Sequence, residues 1–110
     1  MFQVQIRRFK EIDGIVEIDF KDMGHFDYHE PILKILKTHI KCELVGYSDK
    51  ITDIDCTLLY NGIEFEFNHH YIFGNVIRCK SSHAGDLEQL AKQVADIINE
   101  QIRLNSQCDE

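Results

Sequence analysis

Residues 63–70, IEFEFNHH, set Ile63, Phe65 and Phe67 in alternation with Glu64, Glu66, Asn68 and His70. A period of two puts the two sets on opposite faces of a strand, one toward a core and one toward water. The alternation recurs in FQVQIRR, with Phe2, Val4 and Ile6 on one side, and in IVEIDF, with Val16, Ile18 and Phe20 against Glu17 and Asp19. It recurs again in IDCTLLY, where Ile54, Cys56, Leu58 and Tyr60 share a face. CELVGY is a shorter strand and YIFGNVIRCKS another, with Gly74 marking a turn or bulge near its start. Asp13-Gly14 and Asn61-Gly62 are hairpin signals, because a two-residue turn that matches strand twist needs positive φ at both central positions.

Two stretches change period. Between Pro31 and Ile40, the residues Ile32, Leu33, Leu36 and Ile40 recur at helical spacing. Lys34, Lys37 and Lys41 stay wet or complement the C-terminal dipole of that helix. Asp27 is its expected N-cap, with Glu30 at capping-box spacing and Pro31 in the first turn, where a missing N–H costs nothing. From Asp86 to Leu104 a second stripe runs through Leu87, Leu90, Ala91, Val94, Ile97, Ile98 and Ile102, opposite Glu88, Lys92, Asp96, Asn99 and Arg103. The spacing predicts one α+β domain over residues 1–104, followed by a frayed tail at 105–110. Its expected order is β-β-α-β-β-β-β-α: a mainly antiparallel sheet of about six strands with both helices on one face.

Composition narrows the function classes. A chain of 110 residues with 44% apolar content can bury a core without a metal or disulfide. The net charge of −7 opposes general nucleic-acid binding, which draws its affinity from phosphate neutralisation. It also opposes an anionic membrane surface, and suits a basic protein partner. The four cysteines form neither a CxxC pair nor a zinc-ribbon spacing. The N-terminal MFQVQIRRFKEID has no signal-peptide apolar run, so reduced thiols in a cytoplasm are expected, with Cys56 and Cys79 in the core.

If both helices cover one face, the other carries Gln3, Gln5, Arg7, Glu17, Asp19, Asp55, Thr57, Glu64, Glu66, Asn68 and His70. Arg7 is the only strong base in that set. Glu17, Asp19, Asp55, Glu64, Glu66, Asn68 and His70 are therefore the expected partner-binding residues, against the bland alternative of a solvated face. His69 and His70 are neighbours on a strand and point to opposite faces, so they cannot easily share a metal. His25, Asp27, His29 and Glu30 are ligand-type residues, but their spacing fits no defined metal geometry. No GxSxG elbow, phosphate loop or dinucleotide fingerprint is present, and a Cys79–His83 pair is opposed by the core position of Cys79. The expectation is a non-enzymatic binding protein with no catalytic residue, cofactor or metal. The competing expectation is a small enzyme or ligand- or metal-binding domain using His25, His29 and His70, and a third is a homodimer paired at a sheet edge.

In this plan, and in the hairpin YNGIEFEF…GNVI followed by a helix opening GDLEQLA, the chain resembles small bacterial immunity proteins, including those of contact-dependent growth inhibition systems. The resemblance covers the outline of most of the chain and rests on no shared motif, so it transfers no residue role. It implies a protein that blocks a toxin domain, often a basic nuclease, by charge and shape complementarity.

Overall fold

Asp13 and Gly14 take φ of 55° and 75°, and Asn61 and Gly62 take 50° and 79°, so both dipeptides close hairpins as their chemistry requires. A computed structural model describes residues 4–9 and 11–108, the side chains of 106–108 excepted. Its strands are β1 (Ile6–Arg8), β2 (Ile15–Phe20), β3 (Glu43–Asp49), β4 (Asp53–Tyr60), β5 (Ile63–His70) and β6 (Gly74–Lys80). Helix α1 (His29–Thr38) lies between β2 and β3, and α2 (Ala84–Cys108) follows β6. The order is the expected β-β-α-β-β-β-β-α. The strands form one antiparallel sheet in the order β1-β2-β6-β5-β4-β3. Phe2, Gln3 and Lys10 lie outside the described residues.

Both helices cover the same face. Val16, Ile18 and Phe20 of β2, Cys56 and Leu58 of β4, Phe65 and Phe67 of β5, and Ile77 and Cys79 of β6 are buried there. They meet Ile32 and Leu36 of α1 and Leu87, Leu90, Ala91 and Val94 of α2. Each large side chain so buried stabilises the fold by about 1.5–3 kcal/mol before conformational entropy is counted. Cys42 is buried as well, and burial pushes the thiols of Cys42 and Cys56 up to about 11 and that of Cys79 upward, which leaves them protonated and unreactive.

Several local expectations are corrected. Asp27 caps nothing. The chain enters α1 through a short 3-10 turn at Phe26–Tyr28, capped by His25, whose Nδ1 accepts from the Asp27 N–H at 3.1 Å. Helix α1 therefore begins at His29 and ends at Thr38, and its buried stripe includes Ile35, which the spacing did not single out. Tyr71, Ile72 and Phe73 form the exposed turn between β5 and β6 instead of the start of a strand. Helix α2 runs past Leu104 as far as Cys108. Asn99, expected on its wet side, clamps the chain ahead of β1: its Oδ1 accepts from the Val4 N–H at 2.6 Å and its Nδ2 donates to the Val4 carbonyl at 3.1 Å. The edge strands are blunted, β1 by its length of three residues and β3 by a bulge between Leu44 and Gly46.

Candidate functional site

The face away from the helices divides into two electrostatic halves. Its register brings Glu17, Arg78 and Glu66 side by side on β2, β6 and β5, and Asp19, Val76 and Asn68 into the next row. Strand β6 sits between β2 and β5, so Arg78 and Lys80 face outward beside Arg7, which is not the only strong base on this surface. Arg7 holds Asp19 in a two-pronged contact, Nε to Oδ1 at 2.9 Å and Nη2 to Oδ2 at 2.7 Å. That hydrogen bond and the carboxylate charge raise the Arg7 guanidinium above its usual range. Arg78 Nε lies 3.5 Å from Glu17 Oε2. The carboxylates of β2 are thus matched by cations.

Strands β3, β4 and β5 contain no Lys or Arg. Glu43, Asp53, Asp55, Glu64 and Glu66 all face outward there, by pairing with or alternating against the buried Ile54, Cys56, Leu58, Phe65 and Phe67. Glu43 and Glu64 are exposed, while Asp53, Asp55 and Glu66 are partly covered by their neighbours. Of the residues expected to bind a partner, Asp55, Glu64, Glu66 and His70 lie in this acidic half. Glu17 and Asp19 lie in the matched half. Asp19 and Asn68 share the outer face but are buried, Asp19 under its arginine and Asn68 between strands, with its Nδ2 donating to Glu66 Oε1 at 3.2 Å. The sequence missed Glu43 and Asp53; extending the alternation of β4 by one position would have found Asp53.

The histidines separate by face. His70 points outward with Nε2 3.5 Å from Asp53 Oδ1, and its Nδ1 accepts from the N–H groups of Ile72 at 3.1 Å and Phe73 at 3.4 Å. His69 points inward and is buried, its Nδ1 paired with Asn75 Oδ1 at 2.8 Å. His29, a ligand-type residue of the competing expectation, is only 4% exposed and stacks flat on Phe67 at 4.6 Å between ring centroids. Its Nε2 has no hydrogen-bond partner. His25, His29 and His70 are not brought together, and among the described residues no group of three or more His, Cys, Asp or Glu side chains is arranged to hold a metal. A groove of about 1000 Å³ between α1 and strands β3 and β4 is lined by Leu33, Leu44, Tyr47 and Ile54, with His29, Lys34 and Asp49 among its polar residues.

Burial first, and the neighbouring His69 second, lower the pKa of His29 from its ordinary 6.5. The folded chain therefore refuses a proton that the unfolded chain accepts. The stability this ring contributes is complete above pH 6.5 and is lost as the pH falls below it, by up to about 1.4 kcal/mol per pH unit. His29→Phe keeps a ring on Phe67 and removes the proton. Urea unfolding at pH 7 and pH 5 should show a smaller acid loss for the variant than for the parent, and equal losses would refute the assignment.

No family model matches the chain, and no curated protein or solved structure matches it either. No helix among the described residues is long and apolar enough to cross a membrane.

Proposed function

We propose that this chain is a non-enzymatic acidic binding protein of the immunity type, which neutralises a basic toxin domain by covering it. The observation that carries the reading is the concentration of Glu43, Asp53, Asp55, Glu64 and Glu66 on three adjacent strands that contain no Lys or Arg. The register sets none of the five directly opposite another, so the fold tolerates them, and together they make a one-sign field that a cationic partner would feel. Such a partner is drawn in by the field of that half, and association slows as salt screens it. The resemblance to immunity proteins points the same way.

The test is co-purification with the product of the adjacent gene, followed by binding of the purified pair at low and high salt. Glu64→Lys combined with Glu66→Lys should leave the circular dichroism spectrum native, because neither side chain enters the core. The same change should weaken binding by several kcal/mol through like-charge contact across the interface. Unchanged binding would remove the acidic half from the interface. A second reading, a small-ligand or metal domain, draws on the unpartnered Nε2 of His29 beside the groove. Stoichiometric zinc in untagged protein, lost in His25→Ala and His29→Ala, would favour it over the first.

A further inference from the structure

Three connections meet at one end of the sheet: residues 21–28 between β2 and α1, 50–52 between β3 and β4, and 71–73 between β5 and β6. They carry Phe26, Ile51, Tyr71, Ile72 and Phe73, from 58% exposed at Phe26 to 73% at Phe73, with Ile51 wholly exposed. Turns ordinarily use Gly, Asn, Asp and Ser, so a turn of Tyr, Ile and Phe held in water serves no local need of the backbone.

These side chains stand on fastened loops. The His70 ring accepts from two N–H groups of the 71–73 turn and packs against the rings of Tyr71 at 5.0 Å and Phe73 at 4.9 Å. The Tyr71 N–H donates to the Thr52 carbonyl at 3.2 Å, tying two of the connections together. Asn75 Nδ2 donates to the carbonyls of Met23 at 2.9 Å and His25 at 3.0 Å, tying in the third. Phe26 meets His69 edge-on at 5.3 Å. An apolar patch ordered in advance loses little entropy on docking, and aromatic anchors inside a charged rim are the usual energetic centre of a protein interface.

We infer that this end of the sheet is the anchoring surface for a basic protein domain, with the aromatic turn at its centre and the acidic half as its rim. Charge selects the occupant. Asp49 and Asp53 line the same hollow as Phe26, Ile51 and Tyr71, with Lys50 the base there, and the patch runs through Asp53 and His70 into the acidic strands. A second copy of a chain of charge −7 meets like charge, and an anionic lipid surface does too.

The inference rests on the proposed function for the identity of the partner as basic, and the experiment separates the two. The probe is the purified product of the adjacent gene. Tyr71→Ser with Phe73→Ser should bind it roughly a hundredfold more weakly, mainly through faster dissociation, while its urea midpoint stays near that of the parent. Glu64→Lys with Glu66→Lys should instead slow association and flatten its salt dependence. Parent binding that the Ser variant retains overturns the anchoring surface and leaves the proposed function standing. A Ser variant with a large loss of stability overturns it also, because the turn would then be structural. Concentration-dependent dimers in light scattering, abolished by the Ser variant, would assign the patch to a second copy instead. A parent chain that does not bind the adjacent product overturns both readings.

Discussion

Phe67→Ala should destabilise the protein by about 3–5 kcal/mol, a large part of the roughly 5–15 kcal/mol that holds a domain of this size together. Phe67 is fully buried at the middle of β5, directly opposite Cys56 on β4 and Ile77 on β6. Its removal takes away the hydrophobic transfer term and leaves a cavity that three paired strands cannot collapse around. It also takes away the ring on which His29 stacks, leaving a buried imidazole with one nitrogen already unpartnered beside an empty space. Urea unfolding should show a midpoint lower by about 2 M with an unchanged slope, since the surface exposed on unfolding is nearly the same. A loss below about 1 kcal/mol would mean that the face of β5 turned toward the helices is not the core. The comparison with Glu64→Lys and Glu66→Lys then becomes decisive, because those residues sit three and one positions away on the opposite face of the same strand and should leave the fold intact.

That contrast explains which parts of the fold were legible in the sequence. Alternation in β2, β4 and β5 depends on nothing beyond each strand, and the Asp13-Gly14 and Asn61-Gly62 turns are set by two residues apiece. These features are local, and the expected fold class and element order follow from them. Strand order is not local. Nothing in GNVIRCK says that it inserts between β2 and β5, yet that insertion puts Arg78 between Glu17 and Glu66 and sets a cation inside the expected acidic panel. The burial of His29 was not legible for a related reason. A histidine at the start of a helix suggests a cap or a wet surface, and only the passage of β5 beneath α1 turns it into a buried ring. The YIF segment was misjudged in another way: apolar, β-branched and aromatic residues predict a strand, and the competing signal was Gly74. A preference for strand loses there to a position that must reverse the chain.

The same glycine carries the second large effect. Gly74 has φ of +79°, and a Cβ built on it would lie 2.7 Å from the Gly24 Cα and 3.0 Å from the Gly24 carbonyl oxygen. The left-handed conformation alone costs an L residue about 1–2 kcal/mol. The contact adds to this because the opposing atoms are backbone and cannot swing aside. Relief requires the 21–28 loop to move off the β5–β6 turn, which lengthens the bonds from Asn75 to the Met23 and His25 carbonyls. Asn75 is almost wholly buried, and each hydrogen bond it loses without replacement costs about 1–3 kcal/mol. Gly74→Ala should therefore cost more than about 3 kcal/mol in urea unfolding. Two controls isolate the cause. Gly62 has the same φ but open space around it, so Gly62→Ala should cost only the backbone preference, about 1 kcal/mol. Gly24→Ala, whose Cβ would make an ordinary 3.6 Å contact with the Gly74 Cα, should be close to neutral. If Gly74→Ala and Gly62→Ala were equal, the close approach of the two backbones would carry no energy, and the loops at this end of the sheet would not be fastened to one another. If the order is Gly74 far above Gly62 above Gly24, the scaffold beneath Phe26, Tyr71 and Phe73 is rigid. Gly74→Ala should then also weaken partner binding at temperatures where the rest of the fold survives.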